Sequence, residues 1–354
     1  MVSTFHPLPV ARVDRLCADA VAVTFAVPHE LRKEYAFRPG QYLTLRQDLE
    51  GVEERRSYSI CAPPSAPPRI GVRRVDGGLF STRLVDELRP GDVLDVLPPL
   101  GRFTPDLTRR GQHHVFVAAG SGITPVLSIM SAVLASDPAS QVVLLYGNRR
   151  TDTVMFGDDL ADLKDRYPAR LQLVHVLSRE PREVALFSGR LDASRLAALL
   201  DTIVPTSDVD HWWLCGPFGM LTDADAVLAD HGVPRTRVHR ELFYVDEPPP
   251  PLDRADESAV DGPAASVTLI LDGRETTLTL PADTPVLDAA QRVRADLPFA
   301  CKGGVCGTCR AKVTAGKVEM RRNYALEQHE LDEGFVLTCQ ALPRSENLTV
   351  NYDA

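Results

Sequence analysis

Four cysteines near the C-terminus constrain this chain more than any other feature. Cys301, Cys306 and Cys309 share one short loop, with four and then two residues between them, and Cys339 follows after a gap of 29. Four thiolates spaced C-x4-C-x2-C and then a distant C hold a two-iron, two-sulfur cluster. Gly303, Gly304 and Gly307 suit that use, because a loop wrapped around a cluster needs close backbone approach and positive-φ turns. Zinc sites usually pair C-x2-C units or add histidines, and a first gap of four fits them poorly. A disulfide framework belongs to small secreted domains rather than to a chain of 354 residues. The expectation is an iron–sulfur cluster on Cys301, Cys306, Cys309 and Cys339. Such a group carries one electron at a time, so the remaining chain is expected to supply or accept electrons.

The length allows two or three domains. A formal net charge of −9 without a basic run argues against nucleic acid as a partner. No stretch of 18 apolar residues occurs, so no membrane span is expected. Residues 1–10 lack the basic and apolar regions of a signal peptide, and Cys17, Cys61 and Cys215 remain as free thiols. A reducing, cytoplasmic setting is the expectation.

Short apolar runs at 10–13, 21–27, 42–45, 57–61, 70–75 and 93–97 read as six strands, with one helix at 80–88. Pro39-Gly40, Pro63-Pro64 and Pro90-Gly91 punctuate them, which predicts a small closed antiparallel β-barrel over residues 1–108. Over 109–245 the pattern changes to buried-type strands (115–119, 141–146, 171–177, 211–215) alternating with helices. This predicts an α/β domain with a doubly wound parallel sheet. Residues 246–263, rich in proline and acid, read as an extended linker. Strands at 266–271 and 275–280, a helix from Val286 and closing strands at 309–313 and 348–352 give a third, α+β domain over 264–354.

Candidate ligand groups lie at strand ends. Arg56-Ser57-Tyr58-Ser59 combines an arginine for a pyrophosphate, a tyrosine for a flat ring and hydroxyls for ring nitrogens, although an ordinary amphipathic strand reads the same way. Gly77-Gly78-Leu79-Phe80-Ser81 opens a helix where backbone amides suit a phosphate. Gly120-Ser121-Gly122-Ile123-Thr124-Pro125 turns from a strand into a helix, like a dinucleotide loop lacking its last glycine. Cys215-Gly216-Pro217 ends another strand, where Cys215 alone reads as a core thiol. Arg149 and Ser178-Arg179 follow strand ends and suit either a 2′-phosphate or solvated turns. Trp212-Trp213 reads as sheet packing, His113-His114 as an exposed strand opening, and Cys17 and Cys61 as small packing residues.

In this order, RSYS (56–59), GGLFS (77–81), GSGITP (120–125), CGP (215–217) and the cysteine loop resemble the ferredoxin–NADP reductase superfamily fused to a C-terminal plant-type ferredoxin. The resemblance covers the chain except the linker, and implies a flavin barrel, a nicotinamide-nucleotide domain and a β-grasp ferredoxin domain. It implies FAD held with Arg56 on the pyrophosphate, Tyr58 against the ring and Ser59 near N5, beside Ser57, Gly78, Phe80 and Ser81. It implies NADPH, with NADH possible, on Gly120, Gly122, Thr124, Arg149, Ser178, Arg179 and Gly216. Cys215 matches the position beside the nicotinamide and Glu241 the acid near the flavin, so the implied catalytic residues are Ser59, Cys215 and Glu241. A narrower resemblance, in residues 323–354 and in the ELFYVDEPP segment, is to the reductases of phenylacetyl-CoA epoxidases. It implies the subunits of a di-iron oxygenase as partners. The alternatives are a reductase of a ketosteroid or aromatic-ring (Rieske-type) oxygenase, or a non-catalytic flavin and iron–sulfur electron carrier or sensor that uses no nicotinamide.

Overall fold

A computed structural model of the chain describes residues 4–49, 51–243, 264–281, 283–294 and 296–354. The predicted linker lies outside the described residues. Alternating burial folds the first strands into a barrel: β1 (His6–Cys17), β2 (Ala20–Phe25), β3 (Tyr42–Leu49), β4 (Val52–Ser59), β5 (Arg69–Arg73) and, after helix α1 (Leu79–Asp86), β6 (Val93–Val96). They pair antiparallel in the order β4-β3-β6-β1-β2-β5. An antiparallel bridge between Ile60 and Ile70 joins the outer strands and closes the barrel, as the turn pattern predicts. Leu8, Val23, Phe25, Leu43, Leu45 and Ile70 fill the interior, and α1 adds Phe80 and Leu84. Each such side chain contributes about 1.5–3 kcal/mol relative to exposure.

The second sheet is parallel throughout. Strands β7 (His113–Ala119), β8 (Gln141–Asn148), β9 (Leu171–Leu177), β10 (His211–Gly216) and β11 (Val238–Leu242) alternate with helices α2 (Ile123–Ser136), α3 (Gly157–Arg166), α4 (Ala193–Thr202) and α5 (Phe218–Asp230). The order β11-β10-β7-β8-β9 places β7 between strands reached in opposite directions, so the crevice at its carboxyl end is the ligand-binding switch point of an open sheet. β11 carries the sequence Val-His-Arg-Glu-Leu, too polar for a buried-strand pattern, because it lies at the sheet edge. Trp212 and Trp213 are buried, as their packing role requires. His114 corrects the expectation of an exposed strand opening. It is 4% exposed, accepts the Trp213 indole N–H at 3.2 Å and stacks 5.1 Å from His211.

Barrel and parallel sheet form one unit, Phe5–Phe243. Their seam is tight because glycine leaves room for it. A Cβ on Gly71 would stand 2.5 Å from Thr124 Cγ2 and 2.8 Å from the Phe156 ring. Beside them Arg69 donates to Asp159 at 2.6 Å and lies over the Phe156 ring.

Residues 264–354 belong to the second unit. Its main sheet contains β12 (Ala264–Leu271), β13 (Arg274–Pro281), β14 (Arg310–Ala315), β16 (Phe335–Leu337) and β18 (Asn347–Asn351) in the order β13-β12-β18-β14-β16. β12 and β18 run parallel and the other pairs antiparallel. α6 (Val286–Ala290) covers the sheet, α7 (Gln328–Asp332) precedes β16, and β15 (Val318–Met320) pairs with β17 (Ala341–Pro343). This is the predicted β-grasp arrangement. Among the described residues no helix is long and apolar enough to cross a membrane.

Candidate functional site

Strand alternation divides the RSYS segment between two faces of β4. Arg56 and Tyr58 share one face, and Ser57 and Ser59 share the other. Arg56 is half exposed and pairs with Glu54 at 2.6 Å, while the Tyr58 ring lies 6.3 Å from that of Phe80 on α1. Ser57 Oγ is 3.0 Å from Thr44 Oγ1 on β3. Gly77, at φ +74°, turns the chain into α1, and Ser81 locks that turn by accepting from the Val75 N–H and donating to the Gly78 carbonyl. No side chain caps the α1 N-terminus. An arginine, an aromatic pair and a free helix start thus meet on one barrel surface, a set that fits a flavin with its pyrophosphate.

At the end of β7 the backbone tightens through a single turn, Gly120–Gly122, before α2. Gly120 has φ +55°, and its carbonyl accepts the Tyr146 hydroxyl at 2.9 Å. A Cβ on Gly122 would stand 2.1 Å from the Cys215 carbonyl, so only glycine lets this loop lie against β10. Thr124 is buried and donates to the Ser121 carbonyl. A Cβ on Gly216 would meet Met220 Cε at 2.5 Å. The first turn of α2 has no side-chain cap; its Ile123 N–H is taken by the Gly120 and Ser121 carbonyls, and the helix dipole there suits an anion.

The three residues with implied catalytic roles converge although they are far apart in sequence. Cys215 on β10 and Glu241 on β11 are register partners. Ser59 Oγ donates to Glu241 Oε2 at 3.1 Å across the seam from the barrel. Burial pushes the Glu241 carboxyl up to about 8, against the Ser59 hydrogen bond that lowers it. Burial, and then the neighbouring Glu241, push the Cys215 thiol well above its ordinary value, so it stays protonated. Backbone pairing sets Arg149 and Arg179 side by side: the Arg179 N–H donates to the Arg149 carbonyl at 2.8 Å, and the Ser178 N–H to that of Asn148. Both arginine side chains are exposed.

In the second unit, sheet register brings Cys339 to the cysteine loop. Arg310 opposes Leu337 across β14 and β16, so the residues flanking those positions meet, and the Thr338 N–H and Oγ both donate to the Cys309 carbonyl. The thiols form two interacting pairs. The Cys306 thiol, by its hydrogen bond, holds Cys301 below the ordinary thiol range, while Cys339 and then burial push Cys309 up. No three His, Cys, Asp or Glu side chains among the described residues converge on a single-ion site. Two thiol pairs with positive-φ turns at Gly304 and Gly307 fit two bridged irons better than a tetrahedral zinc cage. Sequence reasoning missed Glu330, which is 2% exposed and bonds Arg310, the residue after Cys309, at 2.8 Å. Its one signal was the Glu327/Glu330 capping box that starts α7.

Three family models match the chain: oxidoreductase FAD-binding domain at 7–104, oxidoreductase NAD-binding domain at 116–226 and 2Fe-2S iron-sulfur cluster binding domain at 269–344. The ferredoxin reductase component of the Rhodococcus rhodochrous 3-ketosteroid-9-alpha-monooxygenase is 36% identical, over 98% of this chain and 96% of that protein. One component of the 1,2-phenylacetyl-CoA epoxidase of Escherichia coli (strain K12) is 44% identical, over 100% of this chain and 99% of that protein. The chain belongs to this oxidoreductase family. The reductase therefore uses FAD, a nicotinamide nucleotide and a 2Fe-2S cluster. Among solved structures, phthalate dioxygenase reductase shares its fold, with a TM-score of 0.59 and 23% identity over 98% of both chains.

Proposed function

We propose that the reductase takes electrons from NADPH and delivers them, through the cluster on Cys301, Cys306, Cys309 and Cys339, to the di-iron oxygenase of a phenylacetyl-CoA epoxidase. The observation that carries the proposal is the meeting of Ser59, Glu241 and Cys215 at the switch point of the parallel sheet. When bound, the flavin and nicotinamide supply hydride exchange and the cluster supplies one-electron steps. The chain's own residues orient and insulate. Cys215, fully buried and kept neutral, would adjoin the nicotinamide without placing a charge beside it. Ser59 would face a flavin ring nitrogen, and Glu241, protonated near neutral pH, could reverse the hydrogen bond between them by donating to the Ser59 oxygen, which would free the Ser59 hydroxyl to donate to the ring. Gly120 and Gly122 bring backbone amides to the pyrophosphate, and Arg149 with Arg179 receives the 2′-phosphate. The identity with the epoxidase component supports the choice of oxygenase. Mixed with the oxygenase subunits of that epoxidase, the reductase is expected to support NADPH-dependent epoxidation of phenylacetyl-CoA. Turnover with a ketosteroid hydroxylase and none with phenylacetyl-CoA would overturn the assignment.

A further inference from the structure

The cysteine loop contains a conformation that its own sequence does not favour. Lys302, directly after Cys301, has φ +51°, in the left-handed region that costs a residue with a side chain. Its ammonium is pinned to Gln291 Oε1 at 2.6 Å and lies 3.4 Å from Asp288. Its carbonyl is held by a residue far away in sequence: Gln340 Nε2 donates to it at 2.8 Å. The same amide donates to the Cys339 carbonyl at 3.0 Å and stands 3.6 Å from Cys339 Sγ, within hydrogen-bond range for sulfur. Gln340 is 8% exposed, and its own backbone is fixed, with N–H on the Leu337 carbonyl and carbonyl on the Arg321 N–H. Its Cγ lies 3.1 Å from where a Cβ on Gly304 would stand, so the side chain fills the space beneath the loop. A carboxamide nitrogen has two donor hydrogens, one for the Lys302 carbonyl and one that the Cys339 carbonyl, at 3.0 Å, shares with the more distant Cys339 Sγ, at 3.6 Å.

We infer that Gln340 is a positioning residue for the cluster, with two separable effects. One hydrogen clamps the strained Lys302 turn and so fixes Cys301 relative to Cys339. The other, shared between the Cys339 carbonyl and the Cys339 sulfur, withdraws charge from that sulfur, which raises the cluster's reduction potential, because hydrogen bonds to ligand sulfurs favour the more negative, reduced state. The inference rests on the four-cysteine assignment, whose failure would show separately as iron-free parent protein.

The experiment uses the full-length chain with three variants: Gln340→Leu, which keeps the bulk and removes both donors, Lys302→Gly, and the double variant. Three quantities are read: cluster potential by dye-mediated titration with electron paramagnetic resonance, cluster loss to the iron chelator bathophenanthroline, and flavin bleaching by NADPH. Gln340→Leu should lower the potential and speed cluster loss on the order of tenfold, the factor for one lost buried hydrogen bond, with flavin bleaching unchanged. Lys302→Gly adopts positive φ freely but also removes the ammonium beside Asp288, so its own potential is the reference for the double variant, and it should lose its cluster no faster than the parent. In the double variant, cluster loss should return toward the parental rate while the potential stays below that of Lys302→Gly. A parental potential in loaded Gln340→Leu overturns the proposal. If that variant fails to load, the double variant decides. Either its failure to load or a potential equal to that of Lys302→Gly overturns the proposal, because a relaxed turn has no need of the clamp.

Discussion

Arg149 and Arg179 are exposed on adjacent strand ends, joined through their backbones, and neither side chain enters an ion pair among the described residues. Two guanidinium groups held that way are suited to a dianion. Arg179→Ala should therefore weaken kcat/KM for NADPH by about 1.5–3 kcal/mol while leaving NADH nearly unaffected. Steady-state kinetics with both coenzymes checks this, and equal losses would indicate a packing defect instead. At this scale the sequence was informative wherever a residue's chemistry is itself the signal. Four thiols at a fixed spacing, an arginine at a strand end and a Gly-x-Gly turn are all visible without coordinates. Gln340 was not, because an amide next to a cysteine has no pattern until Lys302, 38 residues earlier, is placed beside it. Gly122 was expected to approach a pyrophosphate, and its second duty, clearing the Cys215 carbonyl, needs the fold to be seen.

The parallel sheet shows why some elements were legible and others were not. Its inner strands are apolar along their whole length because both faces are covered, and that pattern is strong. β11 lies at the edge, and β15 and β17 are three residues each, too short for any period to register. The sheet also gathers rings from three strands. Trp213 on β10 stacks 4.2 Å from His239 on β11, His211 Nδ1 is 3.1 Å from His239 Nε2, and His114 on β7 accepts from Trp213. Burial, and then His211, push His239 down to about 4 and His114 down to about 3. Histidines depressed in the folded state bind fewer protons there than in the unfolded chain, whose histidines titrate near 6.5. Their contribution is thus intact above about pH 6.5 and is lost as pH falls toward about 4. The thermal midpoint followed by tryptophan fluorescence should fall between pH 7 and pH 5, and less steeply in His239→Phe, which keeps the stack without the titration. Both tryptophans of the chain lie on β10, so the signal reports this sheet. Parallel pH profiles for parent and variant would contradict the account.

Across the whole molecule, the barrel and parallel sheet share one seam and one unit, while the ferredoxin-like sheet has its own core. The sequence pattern sets a boundary at residue 109, which falls inside the unit Phe5–Phe243, and a linker at 246–263, which lies outside the described residues. The density of the barrel–sheet seam was not legible, since it depends on Gly71, Phe156 and Asp159 meeting across separate elements. The central claim is that electrons enter at the Ser59, Cys215 and Glu241 site and leave by the four-cysteine cluster. Its most direct measurement compares the intact chain with a fragment ending at Phe243, which retains the barrel, the sheet and both proposed nucleotide sites. With NADPH, the fragment should reduce ferricyanide about as fast as the intact protein, and should lose nearly all reduction of cytochrome c and of the oxygenase. A fragment that reduced the oxygenase as fast as the intact chain would remove the cluster from the electron path and contradict the account.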